Sequence, residues 1–206
     1  MDESYPLTYS VDYPDRDLDR LSTFFRIFTV IPIAIVLGAV NHYVFGGWDN
    51  SASTYAGAGG VLVLGPVLMI LFREKYPRWW FDWNRELTRF IMRVHTYSTL
   101  MSDTYPSTDD QQWVRLEIEY PNVEADLSRG MPLVKWFLAI PHYIVLFFLY
   151  IAVFVCVVIA WFAILFTGRY PRSLFDFVLG VQRWALRVAA YAFLLVTDKY
   201  PPFSLE

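Results

Sequence analysis

Two stretches of this chain, 94 residues apart, carry the same unusual series of residues. The shared positions in the first stretch are Tyr76, Pro77, Arg78, Phe81, Asp82, Arg89, Arg93 and Tyr97, and in the second Tyr170, Pro171, Arg172, Phe175, Asp176, Arg183, Arg187 and Tyr191. This repetition indicates that the chain contains two copies of one unit, so the two halves are expected to fold alike. We assign residues 1–110 to copy 1 and residues 111–206 to copy 2.

The composition predicts a membrane protein. The 206-residue chain is 56% hydrophobic and 19% aromatic, and its apolar residues are gathered in long runs, which is unusual for a soluble domain. The formal net charge of -3 provides no concentrated positive charge for a phosphate backbone, so we expect no nucleic acid as a partner. The single cysteine, Cys156, lies in an apolar run and offers no disulfide framework.

Copy 1 contains two apolar runs that are long enough to cross a bilayer. We predict helices over residues 21–45 and 55–72, because each run approaches the roughly 20 residues that span a hydrocarbon core about 30 Å thick. A polar, turn-rich segment at residues 46–54 separates the two runs. The pair is therefore predicted to form a transmembrane helical hairpin.

The distribution of basic residues indicates how this hairpin is oriented. No Lys or Arg lies between Asn41 and Gly60, whereas several flank the open ends of the hairpin. Cytoplasmic loops of membrane proteins are enriched in Lys and Arg. We therefore expect a multi-pass protein of the inner (cytoplasmic) membrane, with both termini in the cytoplasm.

The matching region of copy 2 is apolar except for Lys135, and as one straight helix residues 131–166 would be about 54 Å long. No bilayer needs that length, so either a short interfacial helix precedes one span or the chain folds back. The motifs before this region match copy 1 at an offset of 109 residues and those after it at 94, so copy 2 lacks the loop of copy 1. We therefore predict an apolar hairpin over residues 131–167, with a partly re-entrant hairpin as the alternative.

Two prolines and two cations occupy equivalent positions in the apolar regions of the two copies. Pro32 and Pro141 are predicted to kink their helices, because proline lacks an N–H and its ring clashes with the preceding turn. The alternative is that proline is simply common in membrane helices. Arg26 and Lys135 are expected to snorkel to the interface or, in a transporter, to contact anions.

Each apolar region is followed by a predicted amphipathic helix, at residues 79–100 and 173–196. The polar residues of each helix form one stripe, which favours a position along the cytoplasmic interface. A true span is the alternative for the second helix. Residues 7–13 and 113–120 alternate between apolar and polar side chains, which predicts two strands that pair with each other.

The polar stripes contain four arginines and three acids that we consider candidate contacts for lipid or for each other: Arg89, Arg93, Arg183, Arg187, Asp82, Glu86 and Asp176. Glu86 is three residues from Arg89, so the charges of copy 1 are expected to pair along the helix. Gly180 replaces this acid in copy 2. Arg183 and Arg187 are therefore expected to contact either the acids Asp82 and Glu86 or the phosphates of anionic lipids. A solvated polar face is the alternative.

The end of copy 2 resembles a known family. The pattern R-W-x-x-R-V-x-A-Y-x-x-L-L-x-T-D-x-Y-P-P-F runs from Arg183 to Phe203, and Gly168-Arg169-Tyr170-Pro171-Arg172 precedes it. These residues resemble the bacterial membrane proteins grouped as domain of unknown function 4389, and the resemblance covers nearly the whole chain as two copies. Copy 1 departs from the pattern at Glu86 and at Ser107-Thr108. The resemblance implies a membrane location and no established activity.

The sequence contains no pattern typical of a catalytic or metal site. The histidines lack zinc-binding spacing, the glycines form no phosphate loop, and there is no nucleophile elbow. We therefore expect no enzymatic activity, no cofactor and no metal. We favour a structural or accessory membrane protein that packs in a larger complex, or against copies of itself, and contacts anionic lipid. The alternative is a small transporter or channel with a path between the two hairpins.

Overall fold

A computed structural model describes residues 5–41, 58–108, 110 and 112–206, with side chains omitted at 39–41 and 58–64. The described residues are mainly helical and include one small sheet. In chain order the elements are β1 (Leu7–Val11), α1 (Arg20–Phe24), α2 (Arg26–Asn41), α3 (Ala58–Arg73), α4 (Arg78–Ser98), β2 (Val114–Ile118), α5 (Val123–Asp126), α6 (Met131–Leu138), α7 (Ile140–Thr167) and α8 (Arg172–Ala192).

The two predicted strands pair with each other in an antiparallel sheet. Tyr9 of β1 lies opposite Leu116 of β2 at the centre of the pairing. Leu7, Tyr9 and Val11 are buried, while Thr8 between them is exposed. Because successive side chains of a strand point to opposite faces, this alternation gives the sheet one buried face and one polar face.

The helices form two layers beneath the buried face of the sheet. In the first layer, α8 packs against β1 and α4 packs against β2. In the second layer, α7 packs on α8 and α2 packs on α4. In α8, Arg183 faces β1 and the next residue, Trp184, contacts His142 of α7, so the sheet and α7 lie on different sides of α8. The order of layers is therefore sheet, amphipathic helices, apolar helices.

The two halves of the chain are interlocked by equivalent contacts. Tyr13, which follows β1, donates a hydrogen bond to the carbonyl of Tyr170, just before α8. Tyr120, which follows β2, donates to the carbonyl of Tyr76, just before α4. The strand of each half thus packs on the amphipathic helix of the other half, and neither half has a sheet of its own.

The structure corrects the predicted hairpin over residues 131–167. Helix α6 ends at Leu138, and after Ala139 helix α7 continues without interruption from Ile140 to Thr167. The segment contains no Gly, Asn or Asp that would favour a turn, and a continuous helix satisfies its backbone groups internally. A short helix followed by one long helix is therefore the arrangement adopted.

The corresponding region of copy 1 differs from the prediction in one detail. The predicted helix over residues 21–45 is divided into α1 and α2 by a turn at Phe25. The predicted helix over residues 55–72 corresponds to α3. The turn of the predicted hairpin, residues 46–54, lies outside the described residues.

The two prolines predicted to kink their helices occupy different environments. Pro32 lies inside α2. Pro141 lies in the first turn of α7, where the missing N–H has no helical partner to lose. The helical segment is interrupted at Ala139, two residues before Pro141, and the predicted kinks themselves stay predictions.

Candidate membrane interface

Helix α7 presents an exposed apolar face along its whole length. Its buried residues form one stripe at intervals of four and seven, namely His142, Leu146, Val153, Ala160 and Ile164. The opposite side carries exposed large apolar residues, namely Ile144, Phe147, Phe148, Ile151, Phe154, Val155, Val158, Ile159, Phe162 and Phe166. Phe166 is 79% exposed and Phe154 69%. Monomeric soluble proteins rarely expose a contiguous apolar patch of this extent.

Neighbouring helices carry exposed apolar side chains as well. These are Ile27, Phe28, Ile31, Ile35 and Val36 in α2, Leu68 and Phe72 in α3, and Leu133, Val134, Phe137 and Leu138 in α6. We call the exposed apolar side chains of α2, α3, α6 and α7 the apolar surface. Because α2 and α7 belong to the same layer, the apolar surface lies on the side of the molecule away from the sheet.

Among the described residues, α7 is the one helix that is long and apolar enough to cross a membrane. A core helix of a soluble protein passes the same test of length and composition, but it is mostly buried. In α7 only 17% of the most apolar 18-residue window is buried. The exposure of α7 therefore favours association with a membrane over a role as a soluble core.

Arg183 and Arg187 of α8 hold the strand and the C-terminal tail in place. Arg183 Nε donates a hydrogen bond to the carbonyl oxygen of Tyr9 in β1, at 2.9 Å. Arg187 donates to the carbonyl oxygen of Ser204. Guanidinium groups are donors only, and backbone carbonyls in these positions are suitable acceptors. Burial also lowers the pKa of Arg187.

The acids of α4 pair along their own helix. Asp82 contacts Arg85 at 3.3 Å, and Glu86 contacts both Arg85 at 3.1 Å and Arg89 at 2.7 Å. The expected pairing of Asp82 and Glu86 with the arginines of α8 is therefore wrong. The carbonyl groups of β1 and the tail take the place of those acids.

Arg89 and Arg93 of α4 repeat the contacts made in α8. Arg89 Nε donates to the carbonyl oxygen of Leu116 in β2, at 2.9 Å. Arg93 donates to the carbonyl oxygens of Ser107 and Thr108, in the segment that follows α4. Arg89 and Arg183 therefore each bind the strand of the other half. Arg93 and Arg187 each bind the segment that follows their own helix. Arg93 is 8% exposed, as is Arg187, so neither presents a surface to a lipid phosphate.

Lys135 is a fully buried cation in α6. Its Nζ atom donates to the carbonyl oxygen of Thr197 at 2.7 Å and lies 2.7 Å from a carboxylate oxygen of Asp198. The ammonium group is also 5.2 Å from the centre of the Tyr191 ring. Burial lowers the pKa of Lys135, while Asp198 acts in the opposite direction. Lys135 thus joins α6 to the segment after α8.

Arg26 makes the equivalent contacts in the other half. Arg26 is 3% exposed, and it donates to the carbonyl oxygens of Tyr97 and Ser102 at 3.1 and 2.7 Å. Its guanidinium carbon lies 3.8 Å from the centre of the Tyr97 ring. The expectation that Arg26 and Lys135 snorkel to the interface or contact transported anions is therefore wrong. Both side chains point into the protein, where Arg26 binds the end of α4 and the segment after it, and Lys135 binds the segment after α8.

The ends of α7 lie close to exposed ion pairs. Arg169, which follows α7, contacts Asp17 at 3.0 Å. Asp176, a predicted charge-pair residue, contacts Arg172 in the first turn of α8 at 3.1 Å, and the two side chains are 52% and 65% exposed. Exposed pairs of this kind contribute little to stability. They do show that charged groups lie beside the C-terminal end of α7.

A buried polar cluster between β1, α4 and α8 was missed by sequence reasoning. The Tyr9 hydroxyl donates to Gln182 Oε1 at 2.8 Å and contacts Thr96 at 3.1 Å, and Gln182 Nε2 lies 3.0 Å from His95 Nδ1. Burial lowers the pKa of His95 and raises the pKa of Tyr9, so both groups are neutral near pH 7. The signal for this cluster was present in the alternation of β1, which places a tyrosine at an inward position.

Two pockets lie beyond the ends of the strands. One of about 630 Å³ is lined by Glu74, Lys75 and Tyr120 among others, and one of about 570 Å³ by Asp15 and Asp103 among others. Within the described part of the chain, no three His, Cys, Asp or Glu side chains are grouped so that they could hold a metal ion. The apolar surface is therefore a better candidate for the functional site than either pocket.

Comparison with known proteins finds a family model that matches part of the second half of the chain. The family model called domain of unknown function (DUF4389) matches residues 131–204. No curated protein and no solved structure matches the chain. The matched segment runs from α6 through α7 and α8 to the tail, and it contains Lys135, Arg183 and Arg187. Residues 131–204 thus match domain of unknown function 4389, the family that the motif of residues 183–203 resembles.

Proposed function

We propose that this protein is an integral membrane protein of structural or accessory type, anchored by the apolar surface. The observation that carries the proposal is the exposed apolar face of α7. Transfer of a large apolar side chain out of water contributes about 1.5–3 kcal/mol, so the exposed residues of α7 together favour lipid by on the order of 10 kcal/mol. Lipid acyl chains are the occupant that fits a surface of this length and uniformity.

The contacts of the basic residues at equivalent positions of the two copies support a structural role. The arginines of α4 and α8 bind backbone carbonyls of strands and tails, and Lys135 and Arg26 bind backbone carbonyls in the segments that follow α8 and α4. A transporter or channel is not proposed, because the two residues expected to contact anions are buried against these carbonyls. In our proposal the protein packs with subunits of a larger membrane complex or with copies of itself.

The location is proposed from the sequence. The Lys and Arg residues that flank the apolar runs support an inner-membrane protein whose sheet and amphipathic helices face the cytoplasm. Anionic lipids of that leaflet are then its neighbours, with contacts from exposed basic side chains rather than from Arg93 or Arg187.

Fractionation of cells tests the membrane anchor. Membranes are washed with high salt and then with alkaline carbonate, and the protein is followed by an affinity tag. We expect the protein to stay in the pellet after both washes and to enter solution only with detergent. Recovery of folded protein in either wash contradicts the proposal.

Mass measurement after purification in mild detergent tests the accessory role. We expect a second polypeptide or additional copies of the same chain to remain bound. Detection of single chains that carry only lipid contradicts this part of the proposal, while the membrane anchor is judged by the fractionation.

A further inference from the structure

We infer that α7 lies along the bilayer surface, embedded in one leaflet, and does not cross the bilayer. This inference rests on the proposed function and specifies the geometry of the anchor. Helix α7 has 28 residues and is therefore about 42 Å long, which is more than enough to cross. The direction of the helix is set by what it contacts at its start, middle and end.

Both ends of α7 are fixed to polar parts of the protein. At the start, the Tyr200 hydroxyl donates to the carbonyl oxygen of Leu138 at 3.1 Å, and Trp184 Nε1 donates to His142 Nδ1 at 3.1 Å. At the end, the backbone N–H of Leu18 donates to the carbonyl oxygen of Gly168 at 2.8 Å. The start of α7 thus contacts α8 and the tail, and its end contacts the segment between β1 and α1.

The middle of α7 contacts the same part of the protein. Tyr150 lies near the midpoint, and its ring is 6.4 Å from the ring of His95. His95 is hydrogen-bonded to Gln182, which accepts a hydrogen bond from Tyr9 of β1. Further along, Trp161 Nε1 donates to the carbonyl oxygen of Thr23 at 3.1 Å. Contacts with α8, α4 and α1 therefore occur in succession along the length of α7.

A perpendicular α7 would carry the sheet into hydrocarbon. The midpoint of α7 would lie at the centre of the bilayer, and β1 would lie at the same depth, only one helix away. Ion pairs of the sheet, such as Arg115 with Asp12 and Arg89 with Glu117, would then face lipid, as would the unpaired edges of a two-stranded sheet. Charged groups and open sheet edges are not stable in lipid.

An α7 that lies in the plane of the membrane removes this conflict. An α-helix with its side chains is about 10–12 Å in diameter, which fits within one leaflet of a hydrocarbon core about 30 Å thick. The apolar surface then faces the acyl chains, and the amphipathic helices and the sheet follow in order toward water. The exposed ion pairs of the sheet and of α4 then lie on the water side.

The depth of labels along the exposed face of α7 tests this inference. In a variant with Cys156 replaced by Ala, single cysteines are placed at Ile144, Ile151, Val158 and Phe166, and nitroxide labels report accessibility to oxygen and to a water-soluble nickel complex. The protein is placed in vesicles of phosphatidylcholine and phosphatidylglycerol. We expect similar depth at all four positions, and a label at Thr8 that stays in water.

Two other patterns of label depth along α7 would contradict the inference or the proposed function. Labels that are deepest at residues 151 and 158 and shallow at residues 144 and 166 indicate a helix that crosses, and they overturn the inference while the proposed anchor survives. Labels that are equally accessible to water at all four positions overturn the proposed function itself.

Labelling of intact cells gives a second test that leaves the apolar surface unchanged. Single cysteines at Gly130 and at Arg169, on either side of α6 and α7, are treated with a membrane-impermeant reagent, and a permeant reagent serves as the control. We expect both positions to react or both to be protected. Reaction at one position only overturns the inference, because the two ends of α7 would then lie on opposite sides.

Discussion

Single buried cations join the elements of this protein. They contribute more to the free energy of unfolding than the charges on its surface do. Lys135 is buried beside Asp198 and the Thr197 carbonyl, whereas Arg172 is 65% exposed beside Asp176. Removal of one partner from a buried pair leaves an uncompensated charge and unsatisfied groups. Removal of one partner from an exposed pair leaves groups that water can satisfy.

We therefore predict that Lys135→Met lowers the free energy of unfolding by about 3 kcal/mol. The control Arg172→Gln removes a cation from an exposed helix-surface pair and is expected to cost no more than about 0.5 kcal/mol. Denaturant unfolding in mild detergent, followed by circular dichroism, measures both. Equal losses in the free energy of unfolding of the two variants would show that Lys135 contributes no more to stability than an exposed cation.

Gly180 is required by the C-terminal tail rather than by its own helix. A Cβ atom at this position would lie 2.7 Å from the carbonyl oxygen of Leu205. The first copy has Glu86 at the equivalent position, where no such tail contact occurs in the described residues. The sequence showed the difference between the copies, but only the packing of the tail explains it.

We predict that Gly180→Ala destabilises the protein by about 1–3 kcal/mol through overpacking, although alanine favours the helix. Gly130→Ala is the matched control, because a Cβ there meets nothing within 4 Å. Thermal unfolding and digestion of the tail by carboxypeptidase are the measurements. A variant of Gly180 that is as stable as the control, with an equally protected tail, contradicts the prediction.

His95 makes stability depend on pH. Burial lowers the pKa of His95 in the folded protein, while the unfolded chain has the ordinary value of about 6.5. The unfolded state therefore binds a proton first, so this contribution to stability is present above pH 6.5 and decreases as the pH falls below it. Tyr9 and Tyr150, the titratable side chains near His95, stay neutral in this range because burial raises the pKa of Tyr9 and tyrosine ionises only in base.

We predict that wild-type protein loses thermal stability between pH 7.5 and 5.5 and that His95→Gln loses less over the same interval. Glutamine keeps a polar group beside Gln182 but does not titrate. Melting temperatures in detergent at both pH values measure the effect. An identical pH dependence in the two proteins would remove His95 as its source.

Among the elements, those with a clear period could be predicted from the sequence and α7 could not. The strands and the amphipathic helices show periods of two and 3.6, and the structure has strands and helices at these places with small differences at their ends. Residues 140–167 are apolar on every face, so no period distinguishes a hairpin from a straight helix. The lack of Gly, Asn and Asp in this segment favours a continuous helix, whereas the shorter offset between the two copies after it favours a hairpin.

The apolar face of α7 can be tested as an element. We predict that Phe147→Glu with Phe154→Glu shifts the protein from the membrane pellet to the soluble or aggregated fraction, because both side chains are exposed on the apolar surface. Thr8→Glu with Ala125→Glu adds the same charge at exposed positions elsewhere and serves as the control. Retention of both variants in the pellet after a carbonate wash would contradict the assignment of this face.

For the whole molecule, the sequence predicts two copies of one unit and a membrane location, but not the arrangement of layers. The sequence predicts lipid phosphates or acidic side chains as partners of these arginines, but the structure gives Arg183 the carbonyl of Tyr9 and Arg89 the carbonyl of Leu116. A backbone carbonyl carries no sequence signature, so this exchange of strands could not be read from residue types. The exchange places the sheet over α4 and α8 and leaves α7 and α2 on the opposite face.

The orientation of the helices in aligned bilayers is the most direct measurement of this arrangement. Polarised infrared dichroism of the amide bands, recorded on the purified protein in oriented membranes, reports the average direction of the helix axes. We predict axes that lie close to the membrane plane, because α7 packs along the layer formed by α4 and α8. Axes that lie close to the membrane normal would contradict the account.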